Sequence, residues 1–494
     1  MSHSVTAPAV SRRALMMAGA TAAGVAALAA SADAAHAEQA APVDDATYNV
    51  IVVGSGLAGL SCGVRLLEDG VENVLIVTKT SMGQGCNSRV AGGQFLYPLD
   101  DSDESLQAMI DCFMAKSENK ARTDLTELVC SNSRAANDWL ISQGCEFTGE
   151  YQVQPYDVLA VTAAPGSFKG MPDLLDTLLA RYQDMGGQEL PDAKLLDLTF
   201  DERGSVNGVK VRTADGIQEI RAANVVLATG GYLANKAVME ACCGADGDEI
   251  LVRGNKGLTG DGLLAVERAG GMRYATGGIE QSLHIAPVPP TLPALSSAAC
   301  IMYSMVVNKN GERFVDESRG YVAIGKAAYE QPGQIHASIF DADAVANLEV
   351  VAEDVKKFDA FGVPAVQADT LEELAEAMEM NPEVFAATVE EFNAAIDGDA
   401  TKGLTIDKTA CALPIKTAPF YAFYPLVPGG TQCFGGIYTD ADCQALEADD
   451  TPIEGLYGIG EVVGGFFAYD YIGGASLTRC VVTAMHVANL IAGK

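Results

Sequence analysis

The sequence predicts an α/β fold: a Rossmann-like domain built on a parallel sheet, divided along the chain by an inserted α+β domain. Three observations predict it. The stretch YNVIVVGSGLAGLSCGVRLLEDGVENVLIVTK, from Tyr48, reads as strand, glycine turn, helix, strand. NVVLATGGY and GLYGIGEVVGG repeat an apolar strand closed by glycines. Between them, residues 370–397 read as two amphipathic helices broken at Asn381-Pro382.

The elements can be justified in order. Residues 1–37 form a unit of their own: Ser11-Arg12-Arg13, a weakly apolar Ala/Gly-rich run to about Ala32, then Ala35-His36-Ala37, an A-x-A cleavage pattern. This order predicts a cleaved twin-arginine leader and an exported protein, and no later run approaches the ~18 apolar residues of a membrane span. In the first strand-turn-helix, Gly54 permits the tight turn, Gly56 lets backbone approach a pyrophosphate, and Gly59 lets helix and strand pack closely, with Leu57 and Ala58 opening the helix at the anion. A dinucleotide is the expected ligand. Its ribose usually meets an acidic residue at the end of the second strand; here that place holds Thr78-Lys79, so a hydroxyl has to serve. The expected division is 45–279 for the first part of this domain, 280–430 for the insertion and 431–494 for the second part. At 494 residues the chain is long enough for at least two cores.

Composition narrows the function. A net charge of −33 disfavours nucleic acid and could steer a basic redox partner through long-range attraction. Twelve cysteines show no C-x-x-C, no haem-attachment pattern and no ferredoxin spacing; Cys62 and Cys480 read as buried thiols.

Seven motifs in order carry a resemblance: GSGLAG (54–59), GCNSRVAGG (85–93), ATGG (228–231), TGDG (259–262), NKNGERFVDES (308–318), PFYA (419–422) and GLYGIGE (455–461). The chain resembles the flavoprotein family of fumarate reductase, succinate dehydrogenase, aspartate oxidase, urocanate reductase and 3-ketosteroid Δ1-dehydrogenase. The resemblance implies an FAD-binding domain with an inserted capping domain, and hydride exchange at flavin N5 with a carbon substrate. It implies that Asn87, Ser88, Ala91, Gly92 and Gly93 lie beside the isoalloxazine, and that Ala228, Thr229, Gly230 and Asp261 hold the nucleotide. Glu461 is implied at the ribityl chain, and Ala475-Ser476-Leu477 as a helix N-terminus at the pyrimidine edge. Succinate dehydrogenases tether flavin through a histidine in the loop matching 85–93; this loop has none, so the FAD is expected to be non-covalent.

The catalytic positions depart from the reductases. In fumarate and urocanate reductases an arginine four residues after the motif glutamate donates the proton; here Arg313-Phe-Val-Asp-Glu317 puts Tyr321 at that offset, as in the steroid dehydrogenases. The carboxylate-clamping arginine falls on Tyr471, a substrate histidine on His284, and the proton-relay positions on Ser297 and Cys300. Phenols cannot replace bidentate guanidinium groups, and a dicarboxylate lacking them would cost about 3 to 5 kcal/mol. The expected substrate is therefore an enone or aromatic alkene packed on Phe466, Phe467 and Tyr469. Tyr321 is the expected proton donor, tuned by Arg319 or Arg313, with Tyr471 polarising a carbonyl and His284 in support. A two-residue shift would instead make Arg319 the donor.

Three functions stay open: an exported alkene reductase fed by an external donor such as a membrane-anchored or multihaem cytochrome, a ketosteroid-type dehydrogenase, and an inactive flavin-binding protein.

Overall fold

The computed structural model describes residues 47–153, 156–166, 170–243, 250–275, 279–285 and 300–494. The leader read in residues 1–37 lies outside them. Val50–Val53 and Val74–Val77 are short β-branched runs with almost no exposure, as strands covered on both faces require. They pair in parallel, and Thr47–Val53 also pairs in parallel with Gly216–Leu227, which in turn pairs with Pro452–Gly458. Sheet order runs Gln444–Leu446, Pro452–Gly458, Gly216–Leu227, Thr47–Val53, Val74–Val77, Gln188–Leu190, with the hairpin Lys194–Phe200 and Val206–Thr213 running back against Gly216–Leu227.

Register positions the site. Val53 stands opposite both Val77 and Leu227, and Leu227 opposite Gly458. Four strands therefore end at one level, and the residues that follow them, Gly54, Thr78, Ala228 and Ile459, meet along one edge. This is the carboxyl edge at which open parallel sheets take ligands.

A second sheet is organised by the long strand Phe420–Cys433. Leu251–Val252 joins it in parallel; Ile279–Ile285, His336–Asp341 and Val366–Ala368 join antiparallel, with Met305–Asn308 beyond His336–Asp341. Side chains alternate between its faces: Met305, Val307, Ile339 and Ala422 enter one apolar core, while Val306, Phe340 and Phe423 enter another. The helices read in 370–397 are Leu371–Ala377 and Pro382–Ala395, the latter capped by Asn381 Oδ1 accepting from the N–H groups of Glu383 (3.0 Å) and Val384 (3.3 Å). The division expected at 430–431 falls inside Phe420–Cys433, whose last residue still pairs with Ile279 while Thr431 and Cys433 bond to Asn87 and Glu461 beside the first sheet. Among the described residues no helix is long and apolar enough to cross a membrane.

Candidate active site

The turn after the first strand is built by contact as much as by conformation. Gly54 has φ +116°, and a Cβ there would lie 2.3 Å from the Ala228 carbonyl oxygen. A Cβ on Gly59 would lie 1.9 Å from the Gly54 oxygen, so helix Leu57–Glu68 can press on the turn only without one. Gly56 differs. A Cβ there would strike nothing: it would rest in ordinary van der Waals contact with Cys86 Cβ (3.5 Å) and Ser88 Oγ (3.6 Å), at the head of a helix that has no side-chain cap.

The helix head borders a cleft whose empty space, counted together with solvent at its open mouth, is about 780 Å³, lined by Gly54, Gly56, Leu57, Ala58, Thr78, Lys79, Asn87, Ser88, Ala228, Thr229, Gly230, Asp261 and Glu461 among the residues the sequence singled out. Gly59 sits one turn beneath. Ser55 Oγ donates to Thr78 Oγ1 (3.1 Å), fixing the hydroxyl that stands where an acid is usual. Lys79 is committed elsewhere: its ammonium donates to Gly257 O, to Thr259 Oγ1 (2.7 Å) and to Asp261 Oδ2 (2.8 Å). Asp261 also pairs with Lys194 (3.1 Å), and the bonds and charges of the two lysines overcome burial to hold its carboxyl below the usual range. Asn87 ties its loop to two others, donating from Nδ2 to Thr431 O (2.6 Å) and accepting the Asn255 N–H at Oδ1 (3.0 Å). Glu461 is buried, accepting from the Cys433 N–H (3.0 Å) and from Asn87 Nδ2 (3.3 Å).

Ala91, Gly92 and Gly93 lie at the far end of this loop, beside rather than among the lining residues. They lead into strand Gln94–Pro98, whose Leu96 N–H donates to Thr478 Oγ1 (3.0 Å) on the closing helix Ala475–Ile491. A Cβ on Gly474 would sit 3.3 Å from Gln94 O. The structure thus brings Ala91–Gly93 against Ala475, Ser476 and Leu477, next to the lining residue Cys480.

The cleft fits a flavin dinucleotide on its own chemistry. It offers a helix head that borders it at Gly56, a fixed carboxylate, and a buried Thr229 hydroxyl that has no partner among the described residues.

Tyr321 is the first residue of helix Tyr321–Tyr329, with Gly320 at φ +88° before it, and its half-buried ring packs on the core containing Val306 and Phe340. At the other end of the helix Tyr329 packs on the main core. Between them, the Lys326 ammonium stands 5.7 Å over the Phe434 ring and 5.5 Å over the Tyr469 ring. Burial lowers its pKa to about 8, against the opposing pull of Asp470 and Glu118. The helix that opens with Tyr321 is therefore held on the segment carrying Tyr469 and Tyr471. Tyr471 packs edge-on to Phe467 (5.0 Å) of its own segment, and neither phenol is among the residues that line the cleft.

Several expectations are corrected. Arg313 cannot tune Tyr321: its Nε and Nη2 bind Glu317 Oε1 (3.0 Å) and Oε2 (2.8 Å), and Glu317 has no exposure. Arg319 is exposed, with no hydrogen bond or ion pair among the described residues. Phe466 and Phe467, expected to carry the substrate, are 1% and 2% exposed and packed edge-on to each other (4.6 Å); Tyr469, at 47% exposure, is the open aromatic of the three. His284 stands on Ile279–Ile285 opposite Val427, and its side chain lies outside the described residues, as does Ser297. Cys300 is a buried thiol whose pKa is driven up mainly by burial. All twelve cysteines are free. Sequence reasoning missed Lys326 and Arg479; neither lies in a motif, and only the packing of distant segments sets Lys326 over Phe434 and Tyr469 and Arg479 over Phe466 and Phe467, behind the residues that line the cleft.

A family model described as an FAD binding domain matches residues 49–477. The chain belongs to this FAD-binding family. FAD is its cofactor. Curated relatives include an NADH:acrylate oxidoreductase from Vibrio harveyi (32% identical, covering 72% of this chain and 35% of that one) and an NADH:fumarate oxidoreductase from Klebsiella pneumoniae (27%; 88% and 46%). A vinyl phenol reductase from Lactiplantibacillus plantarum is 25% identical, covering 86% of this chain and 92% of that one. The chain thus spans between a third and a half of the first two relatives. The same fold occurs in an open flavocytochrome c3 fumarate reductase (TM-score 0.74, 24% identity, 91% of this chain and 78% of that one). It occurs also in a 3-ketosteroid Δ1-dehydrogenase from Sterolibacterium denitrificans (0.73, 20%, 90% and 99%).

Proposed function

We propose that this flavoprotein reduces an activated C=C bond in an enone or aromatic alkene carrying at most one negative charge. The carrying observation is the pair of phenols, Tyr321 and Tyr471, at the positions where the resembled reductases place arginines, on a helix and a segment that Lys326 joins through the Tyr469 ring, while the motif arginine Arg313 is locked to Glu317. FAD, held without a covalent bond, supplies the hydride when reduced.

The residues divide the remaining work. Tyr321 gives its proton to the carbon next to the one that receives hydride, and Tyr471 donates a hydrogen bond to the substrate carbonyl, with His284 in support. Lys326 is an ammonium without a carboxylate in salt-bridge range among the described residues, so it can meet one anionic group on the substrate but not two. The relatives named for acrylate and vinyl phenol support an alkene substrate that is not a dicarboxylate. The Arg12-Arg13 leader supports export, and the acidic surface supports a basic cytochrome as external electron donor.

The test is anaerobic reduction of the purified flavoprotein by a viologen, followed by a screen of fumarate, urocanate, cinnamates, enones and steroids for flavin reoxidation. Enones or cinnamates should reoxidise it rapidly; fast reoxidation by fumarate would refute the reading. The same two phenols could serve the reverse reaction, and reduction of the oxidised flavin by a saturated ketosteroid would assign that direction.

A further inference from the structure

Arg479, in the second turn of the closing helix, is 1% exposed. Its Nε and Nη1 have no hydrogen-bond partner among the described residues. Nη2 makes one long contact, donating to Ser476 Oγ at 3.4 Å, while that hydroxyl itself donates to Gln432 Oε1 at 2.5 Å. Otherwise the guanidinium lies over the Phe466 (5.5 Å) and Phe467 (5.0 Å) rings. No carboxylate among the described residues reaches salt-bridge distance.

Three costs coincide at this spot. A fully buried cation has no counter-ion. Two of its donors are unsatisfied. Helical side chains lean towards the N-terminus, so the guanidinium sits by the first turn, where the backbone N–H groups already concentrate positive potential and no acidic residue offsets them. An anion in the neighbouring cleft would offset the first and the third through its field. Burial also lowers the pKa of Arg479, and the Glu461 carboxylate and Tyr471 phenol are among the groups whose field opposes that shift.

The cleft runs from the glycine turn past Asn87 and Glu461 to Cys480; Arg479 is not among its lining residues and stands behind them, bonded to Ser476 of the first turn. A dinucleotide with its pyrophosphate at the glycine turn would set the flavin ring toward this end, and the pyrimidine ring of a flavin gains negative charge on two-electron reduction.

We propose that Arg479 is a positioning residue for the flavin: the buried counter-charge at its pyrimidine edge that favours the reduced, anionic cofactor. The proposal rests on the flavin site alone and not on the alkene reading.

The test is an anaerobic spectroelectrochemical titration of the holoprotein and of Arg479→Gln and Arg479→Lys, with no alkene present. Failure of the alkene reading leaves its result untouched. Arg479→Gln should lose at least tenfold in preference for the reduced over the oxidised flavin, about 30 mV for a two-electron couple, while Arg479→Lys keeps most of it. Sulfite, which adds at N5 and leaves negative charge on the pyrimidine ring, should bind at least tenfold more weakly to Arg479→Gln. Loss of flavin from Arg479→Gln but not from Arg479→Lys would also support the role, since charge and not packing then holds the cofactor. Loss from both variants would overturn it. So would an unchanged potential in flavin-loaded Arg479→Gln, including the case where cinnamate binding weakens instead, which would assign the charge to the substrate carboxylate.

Discussion

Replacing Glu317 by Gln removes the charge at the centre of the cap. Its carboxylate is fully buried and accepts three N–H groups: Arg313 Nε (3.0 Å), Arg313 Nη2 (2.8 Å) and Val306 N (2.9 Å). A second cation is close by: Lys408, also without exposure, donates to Ser304 O (2.7 Å), and its pKa, lowered by burial to about 8, is held up chiefly by the Glu317 charge. Breaking a buried pair by removing one partner costs about 3 to 5 kcal/mol. Gln keeps one acceptor oxygen, so Glu317→Gln should fall near the lower end, about 3 kcal/mol, and Glu317→Ala near the upper. Arg313 retains its bond to Ile406 O (2.8 Å) in either variant, which limits the loss to the pair itself. The double variant Arg313→Met/Glu317→Leu, with neither charge left from the pair, should lose less than Glu317→Gln alone, a coupling above about 1 kcal/mol. Urea unfolding followed by far-UV circular dichroism measures this. Fluorescence of Trp139, which packs in the main core and donates to Glu68 (2.7 Å), reports the flavin-binding part separately and should shift less. A Glu317→Gln loss under about 1 kcal/mol, or additive effects in the double variant, would refute the reasoning.

Other outcomes follow from the cleft. Tyr321→Phe should keep FAD and lower turnover by about 10² to 10⁴, the range for a general acid, as stopped-flow reoxidation with an enone would show. Gly56→Ala should fold normally yet purify with little flavin, because its Cβ makes only ordinary contacts with Cys86 and Ser88 but stands on the cleft wall where backbone must approach the pyrophosphate; Gly59→Ala, whose Cβ strikes the Gly54 oxygen at 1.9 Å, should lose both flavin and about 1 to 3 kcal/mol of stability. Flavin absorbance and melting temperature separate the two. Lys326 is charged below a pKa of about 8 and neutral above it, since burial depresses the value and Arg319 adds to the depression while Asp470 and Glu118 oppose it. Binding of a cinnamate, a monoanion throughout this range, should therefore weaken as pH rises through about 8, and Lys326→Met should bind it weakly at every pH; calorimetric titration from pH 6.5 to 9.5 checks both.

What was legible in the sequence were features whose cause is local. A run such as Val50–Val53 can only be a doubly covered strand, and Gly54 and Gly59 are needed because of atoms a few residues away or one strand across. Asn381-Pro382 marks a helix start because a cap and a fixed φ act within one turn. The cleft edge was legible for the same reason: strands that end in register expose the residues that follow each of them. The field inside the cleft was not. Whether Arg313 tunes Tyr321 depends on Glu317 turning inwards, and whether Phe467 meets substrate depends on Phe434, Phe466 and Arg479 closing over it, segments that pattern and spacing cannot align. The sequence showed two phenols where relatives carry guanidinium groups and suggested a neutral pocket. The packing instead returns positive charge to the region from other positions, an ammonium on the cap helix and a guanidinium on the closing helix. On the function proposed above, selectivity against dicarboxylates would rest on where the charges sit and not on their absence.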